Sequence, residues 1–201
     1  MAKKARVYDG TAWQELASAQ TDLTAYSTTA QMNTAIAADS TGMKVIASGS
    51  VGTTGFSITS IPATYRHLQL TIRNLRVSGG CDYTIRVNGL STGIYDTLES
   101  VSNGATIINR ALTGAGGIGV NYNYATTNTA STFLMDIRDY TNTTSNKQTE
   151  QQFTCLNTSS NNENVYKSAG IRLTDAINRV DLVMLDAQTF TAGTYILYGI
   201  K

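Results

Sequence analysis

Along most of this chain, hydrophobic and polar residues alternate with a period of two. Leu68, Leu70 and Ile72 fall on one face of a strand, and Gln69, Thr71 and Arg73 fall on the other. Tyr83, Ile85 and Val87 alternate with Thr84, Arg86 and Asn88, and Phe133, Met135 and Ile137 with Leu134, Asp136 and Arg138. Val180, Leu182 and Met184 make a further set, and Thr194, Ile196, Tyr198 and Ile200 read as the apolar face of a closing strand. Successive side chains of a strand point to opposite faces, so this pattern predicts half-buried antiparallel strands. Ser78-Gly79-Gly80, Asn88-Gly89, Asn103-Gly104 and Ala192-Gly193 supply turn signals between them. The only proline, Pro62, precedes the first strong strand, where a missing backbone donor costs little. Residues 43–201 are therefore expected to form a mainly β domain, an antiparallel β-sandwich of jelly-roll-like type. Two stretches read as surface loops: glycine-rich 111–119 and the wholly polar 157–164.

Residues 1–42 differ. Val7-Tyr8-Asp9-Gly10-Thr11-Ala12-Trp13 places an Asp-Gly turn between β-favouring residues, which predicts a small hairpin. Trp13, the only tryptophan, reads equally well as the anchor of a local mini-core or as a contact to a partner chain. Further on, Ser27 or Thr28 can cap a short helix that carries Met32 and Ile36 on one face. A helix this short is marginal alone in water, so it needs its own domain or copies of itself to pack against.

Composition narrows the chemistry. The net charge is only +1 and charged residues make up 14% of the chain, too little basic excess for duplex nucleic acid or an anionic membrane. Met1-Ala2-Lys3-Lys4-Ala5-Arg6 is not followed by an apolar stretch, so no secretory signal peptide is expected. No apolar run is long enough to span a bilayer as a helix. Cys81 and Cys155 read as buried small hydrophobes, with one disulfide between them as the alternative. The single histidine, His67, reads as structural, and no His cluster can hold a metal. Asp136 and Asp139 flank Arg138, and Asp181 and Asp186 bracket a strand. They read as strand-end or ion-pair residues rather than as the carboxylate pair of a glycosidase. Gly114 to Gly119 looks like a dinucleotide fingerprint but has no βαβ context. No catalytic, cofactor or metal site is expected. Tyrosine is abundant at 11 residues, including Tyr122, Tyr124 and Tyr140; these read first as structural, at oligomer interfaces or on sheets, and alternatively as surface recognition residues, since such rings can stack on sugar faces.

Several stretches resemble a recurring pattern in tailed-bacteriophage virion proteins of the tail-fibre and head-fibre type. From Phe56 to Leu70 a short strand leads through Ile61-Pro62 to Tyr65, Leu68 and Leu70. Ile85-Arg86-Val87-Asn88-Gly89 with the downstream Tyr95 is similar to that group's Arg-Phe-Asn-Gly strand, Val87 standing where phenylalanine is usual. Ile137-Arg138-Asp139-Tyr140 through Lys147, and the closing stretch Phe190 to Lys201, match in the same order. The resemblance implies a non-enzymatic virion component made in the host cytoplasm, with residues 1–42 as an attachment segment and 43–201 as a display domain. It points first to a tail-associated fibre or receptor-binding protein, and alternatively to a head fibre or capsid-decorating protein that stabilises the capsid. Implied partners are copies of the chain (trimer first, dimer second), other virion proteins through the N-terminal segment, and a host cell-surface glycan. Tyr8, Trp13, Leu23, Tyr26, Met32 and Ile36 are the residues expected to serve attachment and oligomerisation.

Overall fold

A computed structural model describes residues 6–8, 11, 13–15, 42–80, 82–103, 106–120, 130–156 and 162–201. The chain divides into two units, residues 1–41 and 42–201. In the first, β1 (Arg6–Tyr8) pairs antiparallel with β2 (Trp13–Glu15), Tyr8 opposite Trp13. This is the hairpin that the Asp-Gly turn predicts. The expected helix with Met32 and Ile36, together with Leu23 and Tyr26, lies outside the described residues.

The second unit is built of β3 (Met43–Ser50), β4 (Gly55–Ile58), β5 (His67–Val77), β6 (Tyr83–Val87), β7 (Tyr95–Ser102), β8 (Ile107–Ala115), β9 (Ile118–Val120), β10 (Ser131–Arg138), β11 (Lys147–Leu156), β12 (Asn162–Ile171), β13 (Val180–Met184) and β14 (Phe190–Ile200). Eight strands form a large sheet in the order β3-β14-β5-β10-β11-β12-β7-β8, and four form a small one, β4-β13-β6-β9. Among the described residues every strand pair is antiparallel. The two sheets share one hydrophobic core, with Leu68, Leu70, Ile72, Phe133, Met135 and Ile137 from the large sheet and Ile85, Val87, Val180 and Leu182 from the small one. The domain is thus a β-sandwich, and the alternation in β5, β6, β10 and β13 assigns their core faces correctly.

Three expectations are corrected. In β14 the buried side chains are Phe190 and Leu197, with Tyr195 packed against the core, while Ile196, Tyr198 and Ile200 face the other way. This strand is apolar on both faces, so its own pattern is ambiguous; its register opposite Leu70 of β5 and Ala47 of β3 decides which face is buried. Residues 111–119 are not a surface loop. They end β8, turn, and begin β9 in the other sheet, where Ile118 is fully buried. Glycine is required at the crossing, because a Cβ at Gly117 would collide with the Thr84 side chain of β6. Of the polar stretch 157–164, the described residues Asn162 to Asn164 start β12, and Glu163 is buried.

The segments that carry the phage-like pattern hold this framework together. Asn88 and Gly89 both adopt positive φ, as a tight Asn-Gly turn requires. The hydroxyl of fully buried Tyr95 accepts from Val87 N–H at 3.0 Å and donates to Leu90 C=O at 3.0 Å, closing that turn. Burial pushes the Tyr95 phenol above its ordinary pKa. Tyr140, also fully buried, donates its hydroxyl to the carbonyl of Pro62. The Tyr65 ring lies where a Cβ at Gly199 would be, so glycine alone fits in that closing strand. Lys147 is buried, and its ammonium donates to the carbonyls of Asn142, Ser145 (3.0 Å), Leu173 (3.3 Å) and Thr174 (3.2 Å), tying two loops together.

Candidate recognition face

Antiparallel register sets which side chains share a face of the large sheet. On the face turned away from the small sheet, one row runs Ala111, Leu98, Ser168, Glu150, Asp136, Gln69, Tyr198, Val45. The adjacent row runs Asn109, Ser100, Tyr166, Gln152, Leu134, Thr71, Ile196, Ser48. Between them, on the inner face, lies Arg110, Glu99, Lys167, Gln151, Met135, Leu70, Leu197, Ala47. Along this one row, which runs across the strands, the interior therefore passes from polar to apolar.

At this row of β7, β12 and β11 the usual distribution is locally reversed, although Tyr95, Val101, Phe153, Val165 and Ile171 keep the rest of the buried face apolar. Glu99 and Lys167 point inward and are buried, whereas Leu98 and Tyr166 point outward, 64% and 57% exposed. The buried charges are matched: Lys167 Nζ lies 2.6 Å from Glu99 Oε2 and also donates to the carbonyl of Gly119 in β9. Arg110 approaches the other Glu99 oxygen only to 3.8 Å. That oxygen and the Gln151 Nε2 amide are buried without a hydrogen bond. Buried charges cost stability unless paired, and unsatisfied polar atoms cost about 1–3 kcal/mol each, so core stability alone does not favour this arrangement. Departures from the local rule concentrate at functional or strained sites.

Above this polar row the outer face forms an open trough of about 550 Å³. Leu98, Ser100, Asn109, Glu150, Tyr166 and Ser168 present their side chains to it. The trough's edges are ordered by polar contacts: Gln152 Nε2 donates to the Tyr166 hydroxyl at 3.3 Å, and Arg138 donates to Glu150 Oε2 at 2.7 Å. Next along the row, Asp136 accepts from Gln69 Nε2 at 2.9 Å. Such a surface offers one aromatic ring, one aliphatic patch and several hydroxyl, amide and carboxylate groups on a rigid strand platform.

The sequence-based candidates fare differently. Tyr140 is a correction: it is fully buried and bonded to Pro62, so it cannot touch a ligand at the surface. Tyr122 and Tyr124 lie outside the described residues, as does Cys81. Cys155 is a free, buried thiol whose pKa is pushed up to about 12, first by burial and then by the neighbouring Glu163 carboxylate. His67 Nδ1 accepts from Asp139 N–H at 3.2 Å, a strand-end contact. Asp139 faces Arg66 at 3.8 Å, Asp181 pairs with Arg179 at 2.8 Å, and Asp186 accepts from the backbone N–H groups of Asp82 and Gln188. Leu98 and Tyr166 each stand at a polar position of an alternating strand, and that inversion is the sequence signal that marks them.

No family model, curated protein or solved structure matches this chain.

Proposed function

We propose that this chain is a non-enzymatic structural component of a tailed-phage virion, a tail-associated fibre or receptor-binding protein. The segment before the sandwich attaches it to the particle, and the outer face of the large sheet meets the host surface. The observation that carries this reading is the inverted patch over β7 and β12, where apolar side chains are turned outward over buried, paired charges. The phage-like stretches support it too, since Ile61-Pro62, Asn88-Gly89-Leu90, Tyr95, Tyr140 and Lys147 all serve as ties in the sandwich rather than as chemistry-bearing groups.

The protein assembles as a trimer, with a dimer as the second choice. A ring needs two different surfaces that meet head to tail, whereas a two-fold dimer needs one self-complementary surface. The large sheet offers two unlike edges, β3 and β8, and no described strand pairs with the outer side of either. Purified full-length protein should bind intact host cells and reduce adsorption of the phage that carries it. Failure of the oligomer to bind those cells, together with a rise in capsid thermal stability on its addition, would favour a capsid-decorating role instead.

A further inference from the structure

We infer that the trough over β7, β8, β11 and β12 is a binding site for an uncharged glycan, an assignment that rests on the host-contact reading above. Tyr166 and Leu98 lie on adjacent strands as diagonal neighbours, since Leu98 is opposite Ser168 and Tyr166 is opposite Ser100. In an antiparallel pair such positions are about 7–8 Å apart, close enough for one ring-shaped ligand to cover both. A sugar ring has an apolar C–H face and a rim of hydroxyls. The C–H face packs on the Tyr166 ring and the Leu98 methyls. The hydroxyls then meet Ser100, Ser168, Asn109 and the Glu150 carboxylate, which together supply donors and acceptors around the rim.

Charge selects among ligands. Arg138 is the basic side chain beside the trough on this face, and it already holds Glu150 at 2.7 Å. Arg110 and Lys167 also line the trough, but they belong to the inner row and are directed at Glu99, at 3.8 and 2.6 Å. Among the described residues, an anionic ligand therefore meets the Glu150 carboxylate at the trough, and Arg138, Lys167 and Arg110 each already lie beside a carboxylate, at 2.7, 2.6 and 3.8 Å. An extended peptide is the poorer fit, because peptides that recognise sheets add as a strand at an edge, and the trough lies on a face. The buried Glu99–Lys167 pair below fixes β7 against β12, so the ring and the hydroxyls are held in place before ligand arrives.

The test is calorimetric titration of the full-length protein with neutral oligosaccharides of glucose, galactose, mannose and N-acetylglucosamine. Sialylated and uronic-acid oligosaccharides serve as anionic comparators. At least one neutral oligosaccharide should bind, and the anionic ones should bind more weakly. Tyr166→Ala should weaken binding about tenfold or more, and Tyr166→Phe, which keeps the ring, by less than about threefold. Ser168→Arg, which fills the trough while leaving Tyr166 in place, should abolish binding, and Val45→Ala at the far edge of the same face should not change it. No binding of any neutral oligosaccharide, preference for the anionic ones, or wild-type affinity in both Tyr166→Ala and Ser168→Arg would overturn the assignment. Those results with the protein still located on virions would remove only the glycan site; absence from virions would remove the host-contact reading itself.

Discussion

Cys155 illustrates how one side chain reports on the whole core. Its thiol is buried beside Glu163, and both burial and that carboxylate disfavour the thiolate, raising the folded-state pKa to about 12 from 9.0. Below pH 9 the thiol is neutral in both folded and unfolded chains, and its contribution to stability is constant. Between about pH 9 and 12 the unfolded chain loses the proton while the folded one keeps it, so stability falls as pH rises, by at most about 1.4 kcal/mol per unit. Urea unfolding at pH 8 and pH 10.5 should therefore show a larger loss for the wild type than for Cys155→Ala. Equal losses, or a smaller one in the wild type, would show that the thiol ionises in the folded protein. The same residue-level economy appears at Tyr95, Tyr140 and Lys147, each of which satisfies a turn or loop from inside the core.

Among the elements, β8 is the least protected. It is nine residues long, forms one edge of the large sheet, and exposes Ile107 (70%) and Leu112 (46%). Long apolar edges invite pairing with another strand, and proteins that remain monomeric usually guard them with charge or proline. Here Arg110 is the one charged residue of the strand, and it is directed at Glu99. Leu112→Lys should therefore shift the protein from oligomer to monomer in sedimentation velocity at micromolar concentration. A distribution identical to wild type would place the interface elsewhere.

At the scale of the molecule, the sandwich was legible because β5, β6, β10 and β13 each have one apolar face, and two sheets of such strands must pack on each other. The glycine-rich crossing from β8 to β9 was not, since glycine looks the same in a flexible loop as at a close approach between sheets. The trough was hidden for another reason. In β7 and β12 Glu99 and Lys167 interrupt a core face otherwise built with Tyr95, Val101, Val165, Ala169 and Ile171, and only cross-strand register shows that the two charges meet inside the fold beneath Leu98 and Tyr166. That register brings Leu98, Ser100 and Asn109 together with Glu150, Tyr166 and Ser168, which no local motif connects.

The central claim is that this chain is part of a virion and faces the host. It is tested most directly by immunogold labelling of purified particles of the phage encoding it, with antibody raised against the full-length protein. The account predicts gold at the tail end. Gold spread over the head would move the protein to the capsid and contradict the host-contact role, and particles without gold would contradict its being a virion component.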